Sequence, residues 1–164
     1  MEFEIRPVRA EDHQAVVALS PRLTIGAPPW RDPARFAAAA RGWIETSLAS
    51  AEDAGHAVFV AVRDGRLAGM VSVAEREHFT GDRDAYVGEL VTDAAVEGRG
   101  AGRALMAAAQ HWAAQRGLYR ITLETGAAND RARRFYASLG YEEEEIRLSK
   151  AVDPAGVTGR ERRA

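Results

Sequence analysis

The chain has no cysteine, a single lysine (Lys150) and no long apolar run. Without cysteine there is no disulfide frame, no thiolate nucleophile and no zinc–thiolate site. No apolar stretch reaches the roughly 18–20 residues of a membrane span. The opening stretch, MEFEIRPVRAEDH, is charged and lacks the apolar centre of a signal peptide. The expectation is a soluble cytoplasmic protein with no membrane partner. A basic excess is also missing: 22 Lys and Arg stand against 24 Asp and Glu, for a net charge of −2. That balance argues against a general nucleic-acid binder. The four histidines, His13, His56, His78 and His111, lack metal-ligand spacing, so no metal is expected. What is present is ordinary globular material, 164 residues with 46% hydrophobic content. That suffices for one domain with a sizeable core. The domain is expected over residues 1–150, with a small, polar and charged tail over 151–164.

The pattern along the chain predicts an α+β fold, a mixed sheet flanked by helices. Residues 2–8 predict a strand with Phe3 and Ile5 on one face, and Glu11 to Leu19 a short helix. Residues 20–33 hold four prolines and a glycine and predict a loop. Asp32-Pro33 is a good helix start, and the helix that follows carries Phe36, Ala40, Trp43 and Ile44 on one stripe. His56–Val62 and Leu67–Val73, the latter extendable to Glu77, predict a hairpin about Asp64-Gly65. A loop over 78–84 leads to a strand at Ala85–Thr92. Ala101–Arg116 predicts a helix with Leu105, Ala109, Trp112 and Ala113 inward and Gly117 as its stop. Tyr119, Ile121 and Leu123 alternate as a strand. Asn129 caps a helix striped by Ala132, Phe135, Tyr136 and Leu139, and Tyr141–Lys150 predicts a last strand. Trp43 and Trp112 are expected in the core, and Trp30 either in the core or beside a pocket.

Between the third of these inner strands and its helix lies VEGRGAGR, residues 96–103, with three alternating glycines. A turn would account for them. So would an anion: helix N-terminal N–H groups lack partners and carry the positive end of the helix dipole. Glycines let a phosphate reach those groups, and Arg99 and Arg103 add charge. The phosphate loop of nucleoside triphosphatases requires a lysine that is missing here. The dinucleotide fingerprint requires a small third residue where this chain has Arg103 or Leu105, and it should follow its strand directly.

Glu97-Gly98-Arg99-Gly100-Ala101-Gly102 resembles the acyl-CoA signature of the GNAT superfamily of N-acetyltransferases, Gln/Arg-x-x-Gly-x-Gly/Ala, with Glu97 departing at its first position. Downstream, LETGAANDRARRFYASLGY is similar to that family's later block, at the family's usual separation. The resemblance covers about a third of the chain. It implies a central, mostly antiparallel mixed sheet and transfer of an acetyl or acyl group from acetyl-CoA to a primary amine. It implies that backbone groups of Leu90, Val91 and Thr92 pair with the pantetheine arm. It also implies that Gly98, Arg99, Gly100, Ala101, Gly102 and Arg103 cradle the pyrophosphate, that Asn129 hydrogen-bonds the arm, and that Tyr136 faces the sulfur. Family members commonly dimerise, so a homodimer is open to the chain.

The chemistry asks for a base. Neutralising a lysine-like ammonium of pKa ~10.4 at pH 7 costs about 4–5 kcal/mol, against about 1 kcal/mol for an α-amine. Glu124, at a strand end five residues before Asn129, and Glu89, on the central strand, are the candidates. Each also has a plain reading, as a strand-end residue and as a solvated strand position. Tyr136 is the candidate acid for the departing thiolate, or else one more member of its helix's core stripe. The acceptor is a small-molecule amine or a protein N-terminal amine. The acidic run Glu142–Glu145 is a solvated face that can also draw a cationic acceptor. Two other functions compete: a non-catalytic acyl-CoA-binding sensor, and a dinucleotide-binding oxidoreductase. The loop at 20–33 is also able to serve a protein partner.

Overall fold

Strands β1 (Glu4–Pro7), β2 (His56–Arg63), β3 (Arg66–Glu77), β4 (Arg83–Thr92) and β5 (Ile121–Leu123) lie side by side in that order in one sheet. This is a computed structural model, and it describes residues 2–153. The first three pairings are antiparallel and β4–β5 is parallel. The β2–β3 turn is the Asp64-Gly65 pair, with φ of 51° and 70°. Both residues take the left-handed conformation that matches strand twist in a two-residue hairpin.

Helices cover both faces of the sheet. α1 (His13–Val17) and α2 (Pro33–Ala49) pack on one side, with Val16, Leu19, Ile44 and Leu48 against Val58, Val60, Met70 and Val91. α2 begins as its sequence predicts: the Asp32 side chain accepts the Arg35 N–H at 2.7 Å, and Pro33 follows. α3 (Ala101–Gln115) covers the other side, burying Leu105, Met106, Ala109 and Trp112 against Val71, Val73 and Val87. α4 (Asp130–Ala137) packs beside it through Phe135 and Tyr136. The whole is a five-stranded α+β fold with a mixed sheet.

Several expectations change. Tyr141–Lys150 is not a strand: it runs as irregular chain, with Ile146 77% and Leu148 88% exposed. β5 is only three residues long and offers little edge to pair with, and four successive glutamates repel one another in an extended stretch. Side-chain ion pairs hold this segment instead, Arg147 with Glu124 at 3.7 Å and Glu143 with Arg133. Trp43 is 45% exposed and meets Phe36 edge-on rather than entering the core, where the buried stripe of α2 is Ala40, Ile44 and Leu48. Trp30 is exposed as well. The helix expected over 11–19 divides into a tight turn at Ala10–Asp12 and the short α1. Most of the expected tail, residues 154–164, lies outside the described residues.

Candidate active site

The sheet opens where β4 parts from β5. Their register runs Ala85↔Ile121, Tyr86↔Thr122, Val87↔Leu123 and ends there, while β4 continues to Thr92. On its other side β4 bulges: Val73 pairs with Val87 but Val71 pairs with Leu90, so two residues of β4, Gly88 and Glu89, stand opposite Ser72 alone. Such a bulge bends the strand that carries the extra residue. Beyond it the Asp93 N–H donates to the Ala68 carbonyl at 2.8 Å, which fixes the alternation of the ladder. By that alternation Val91 faces β3, while the backbone groups of Leu90 and Thr92 face the gap. The Thr92 carbonyl accepts from Arg22 Nε at 2.6 Å. The resulting edge resembles one half of a sheet awaiting a strand.

The glycine stretch lies at the end of this edge. Gly98 and Gly100 have φ of +72° and +96°, and a Cβ at either would meet nothing within 4 Å. Their absence of side chains therefore serves the backbone path and leaves open space above it. Gly100 is the N-cap of α3 and supplies no side-chain cap. The first-turn N–H groups of α3 are thus presented uncapped, with the helix dipole behind them. Gly102 sits where α4 packs on α3: a Cβ there would lie 3.4 Å from the Phe135 ring, an ordinary contact. Arg99 and Arg103 are exposed at the same corner, and Arg103 reaches Ser138 Oγ at 3.4 Å.

The two candidate carboxylates differ sharply. Glu89 is buried, 8% exposed, rather than a solvated strand position. Its Oε2 accepts from Ser47 Oγ of α2 at 2.7 Å and from Ser72 Oγ of β3 at 2.5 Å, and its N–H donates to Ser72 Oγ at 2.9 Å. Ser72 thereby ties off the bulge, and Ser47 ties α2 to the opening. Glu124 is exposed at the end of β5, 3.8 Å from Arg76 and 3.7 Å from Arg147. Between the two lies Tyr86. Burial pushes its phenol up first, and the negative fields of Glu124 and then Glu89 add to that, against the Arg76 guanidinium 4.6 Å over its ring.

Tyr136 lies on the opposite, α3–α4 side, against Phe135 and Tyr141 at ring distances of 5.3 and 5.7 Å. Burial pushes its phenol up to about 12. Asn129 Oδ1 caps α4 through the Ala132 N–H at 3.1 Å, and its Nδ2 donates to the Ile25 carbonyl at 3.3 Å. The loop after Thr24 presses closely there: a Cβ on Gly26 would fall 2.7 Å from Asn129 Cβ. Of the residues singled out from the sequence, Leu90 and Thr92 face the gap and residues 98–103 follow at its end, while Asn129 meets the loop after Thr24 and Tyr136 packs against Phe135 and Tyr141. Glu89 stands on the α2 face of the same opening, and Glu124 stands outside it.

Sequence reasoning missed Ser47, Ser72, Arg22 and Arg131. Ser47 had one signal, a polar residue beside the buried Ile44 and Leu48 on α2. Arg22 and Arg131 had none, because both meet Glu97 only through the folded chain. Among the described residues no cluster of His, Asp or Glu is placed to hold a metal ion, and no helix is long and apolar enough to cross a membrane.

Comparison with known proteins bears on this geometry. The model of the acetyltransferase (GNAT) family matches residues 22–141. No curated protein sequence matches the chain. Among solved structures, a GCN5-related N-acetyltransferase from Ralstonia eutropha is 22% identical with a TM-score of 0.71, covering 92% of this chain and 99% of that one. Glucosamine-6-phosphate N-acetyltransferase from Arabidopsis thaliana is 20% identical with a TM-score of 0.65, covering 93% and 100%. AAC(6')-Iy in complex with the bisubstrate analog CoA-S-monomethyl-acetylneamine is 19% identical with a TM-score of 0.66, also covering 93% and 100%. At these identities the likeness is one of fold.

Proposed function

The chain belongs to the acetyltransferase (GNAT) family, and from that premise we propose that it transfers an acetyl group from acetyl-CoA to a primary amine. The observation that carries the reading is the continuity of two features. The gap-facing edge of β4 at Leu90 and Thr92 leads, through the short turn at Ala94–Val96, to the uncapped, glycine-lined start of α3. An extended amide-bearing arm that ends in a diphosphate matches both at once. A dinucleotide has no such arm to lay along a strand.

In this reading the gap admits the donor from the α3–α4 side and the amine from the α1–α2 side. Glu89 is the base, receiving the proton from the amine directly or through one water, and Ser47 and Ser72 hold its carboxylate in place. Glu89 is preferred to Glu124 because it is fixed within the fold, whereas Glu124 is exposed and neutralised by two arginines. The amine nitrogen attacks the thioester carbonyl carbon, the carbon–sulfur bond breaks, and the sulfur leaves with the electron pair. With both reactants in one cleft, proximity supplies much of the rate. An outward N–H of β4 at Leu90 is suited to the carbonyl oxygen.

Tyr136 donates a hydrogen bond to the departing sulfur. With its phenol at about 12, full proton transfer to a thiolate of pKa ~8.5 is uphill by about 5 kcal/mol. The phenol therefore acts as a neutral donor rather than as a strong acid.

The test is amine-dependent release of CoA from acetyl-CoA, followed with a thiol reagent. The chain has no cysteine of its own, so the signal is the product alone. Screening polyamines, aminoglycosides, amino acids and N-terminal peptides should give turnover with at least one amine. Acetyl-CoA binding with no turnover across all classes would favour the non-catalytic sensor.

A further inference from the structure

Glu97 stands at the mouth of the glycine stretch, where a carboxylate should repel an anionic ligand. Its surroundings explain how it is tolerated. One carboxylate oxygen pairs with Arg22 Nη2 and the other with Arg131 Nη1. The two arginines come from distant segments, the turn at Ser20–Thr24 and the first turn of α4. Glu97 therefore bridges the far side of the gap to the start of α3.

The two arms of this clasp are not equivalent. The Arg22 side chain is 26% exposed, and it also donates to the Thr92 carbonyl at 2.6 Å. It is fixed at two points. The Arg131 side chain is 59% exposed and holds only Glu97 among the described residues. A long, exposed guanidinium with one partner can change partners at little cost, because an exposed ion pair contributes little. Bidentate contact of a guanidinium with a phosphate is stronger.

We propose that Glu97 is a resident stand-in for the donor's diphosphate, and that Arg131 is a phosphate-binding residue of this chain which exchanges Glu97 for that diphosphate while Arg22 keeps Glu97 in place. The proposal rests on the acetyl-CoA reading above. It assigns to a side chain of α4 the positive charge that the first position of the glycine signature does not supply here. After the exchange Glu97 is still neutralised by Arg22, so the loop does not carry an unpaired carboxylate beside the ligand.

The experiment is calorimetric binding of acetyl-CoA and of S-acetylpantetheine, which lacks the diphosphate, to the full chain and to Arg131→Ala, Arg131→Lys and Glu97→Gln. Arg131→Ala should weaken acetyl-CoA binding ~10-fold and Arg131→Lys by less, since lysine keeps the charge without the fork. Glu97→Gln should tighten it ~3-fold or more by releasing Arg131. S-acetylpantetheine affinity should not change in any variant. If Arg131→Ala binds acetyl-CoA as the parent does, or if Glu97→Gln binds it more weakly, the exchange is wrong and the clasp is only a structural tie. Arg131 is exposed, so its variants remain informative should Glu97→Gln fold poorly. Failure of the parent chain to bind acetyl-CoA would overturn the underlying reading and the exchange together.

Discussion

Ser47 on α2 donates its hydroxyl to the Glu89 carboxylate on β4 at 2.7 Å, joining the helix that covers one face of the sheet to the strand that opens it. Glu89→Gln should keep acetyl-CoA affinity and lower kcat/KM ~10²–10⁴-fold, the usual contribution of a general base. Ser47→Ala should have a smaller effect on rate. A merely structural Ser47 would lower thermal stability and leave kcat/KM unchanged.

Tyr136→Phe should lower kcat ~10²–10³-fold with acetyl-CoA affinity nearly intact, the usual scale for removing one hydrogen-bond donor to a developing negative charge. The phenol also makes a separate prediction. Its native value of about 12 lies above the ordinary 10.0, so the folded protein holds that proton longer than the unfolded chain does. The associated stability is fully present below pH ~10 and is lost as the pH rises towards ~12. Burial also raises Tyr86 and Tyr141, so absorbance titration of the four tyrosines should show several late phenols, and Tyr136→Phe should remove the one nearest pH 12.

Gly100→Ala forces a side chain onto φ of +96°. A left-handed non-glycine residue costs ~1–2 kcal/mol, so the midpoint of urea unfolding should fall. Acetyl-CoA binding should weaken ~10-fold if the loop relaxes away from its present path. Gly98 occupies the same kind of position, and its alanine variant should behave alike.

Far from the gap, Arg6 grips Asp12 with both arms at 2.7 and 2.9 Å, and Asp12 also accepts the Arg9 N–H at 2.8 Å. The hydrogen bond from Arg6 holds the Asp12 carboxyl below its ordinary range. Stability from this pair is present above the ordinary carboxylate value and is lost as the pH falls through the depressed one. Asp12→Asn should cost ~1–3 kcal/mol at pH 7 and progressively less in acid, read from urea unfolding at several pH values.

Much of this fold was legible because its signals are local. The Asp32 cap, the Asp64-Gly65 hairpin, the α3 stripe from Leu105 to Ala113 and the glycines at 98 and 100 each state their conformation within a few residues. The stretch Tyr141–Lys150 misled because a strand forms only where an edge exists to receive it, and β5 is too short. Trp43 misled because its helix buries a narrower stripe than its apolar residues mark out. At the site, the sequence carried Glu89, Tyr136 and Asn129 but not their settings. The hydroxyls on Glu89 and the arginines on Glu97 come from 17 to 75 residues away, and no local pattern encodes such meetings.

The central claim is that the β4 edge and the start of α3 form one seat for acetyl-CoA. Titration calorimetry of the full chain with acetyl-CoA, with NAD and NADP in parallel, tests it most directly. The account predicts saturable binding of acetyl-CoA with a Kd of ~1–100 µM and no binding of either dinucleotide. Binding of a dinucleotide alone, or of none of the three, would contradict it and leave the glycines of residues 96–103 to a turn or to another ligand.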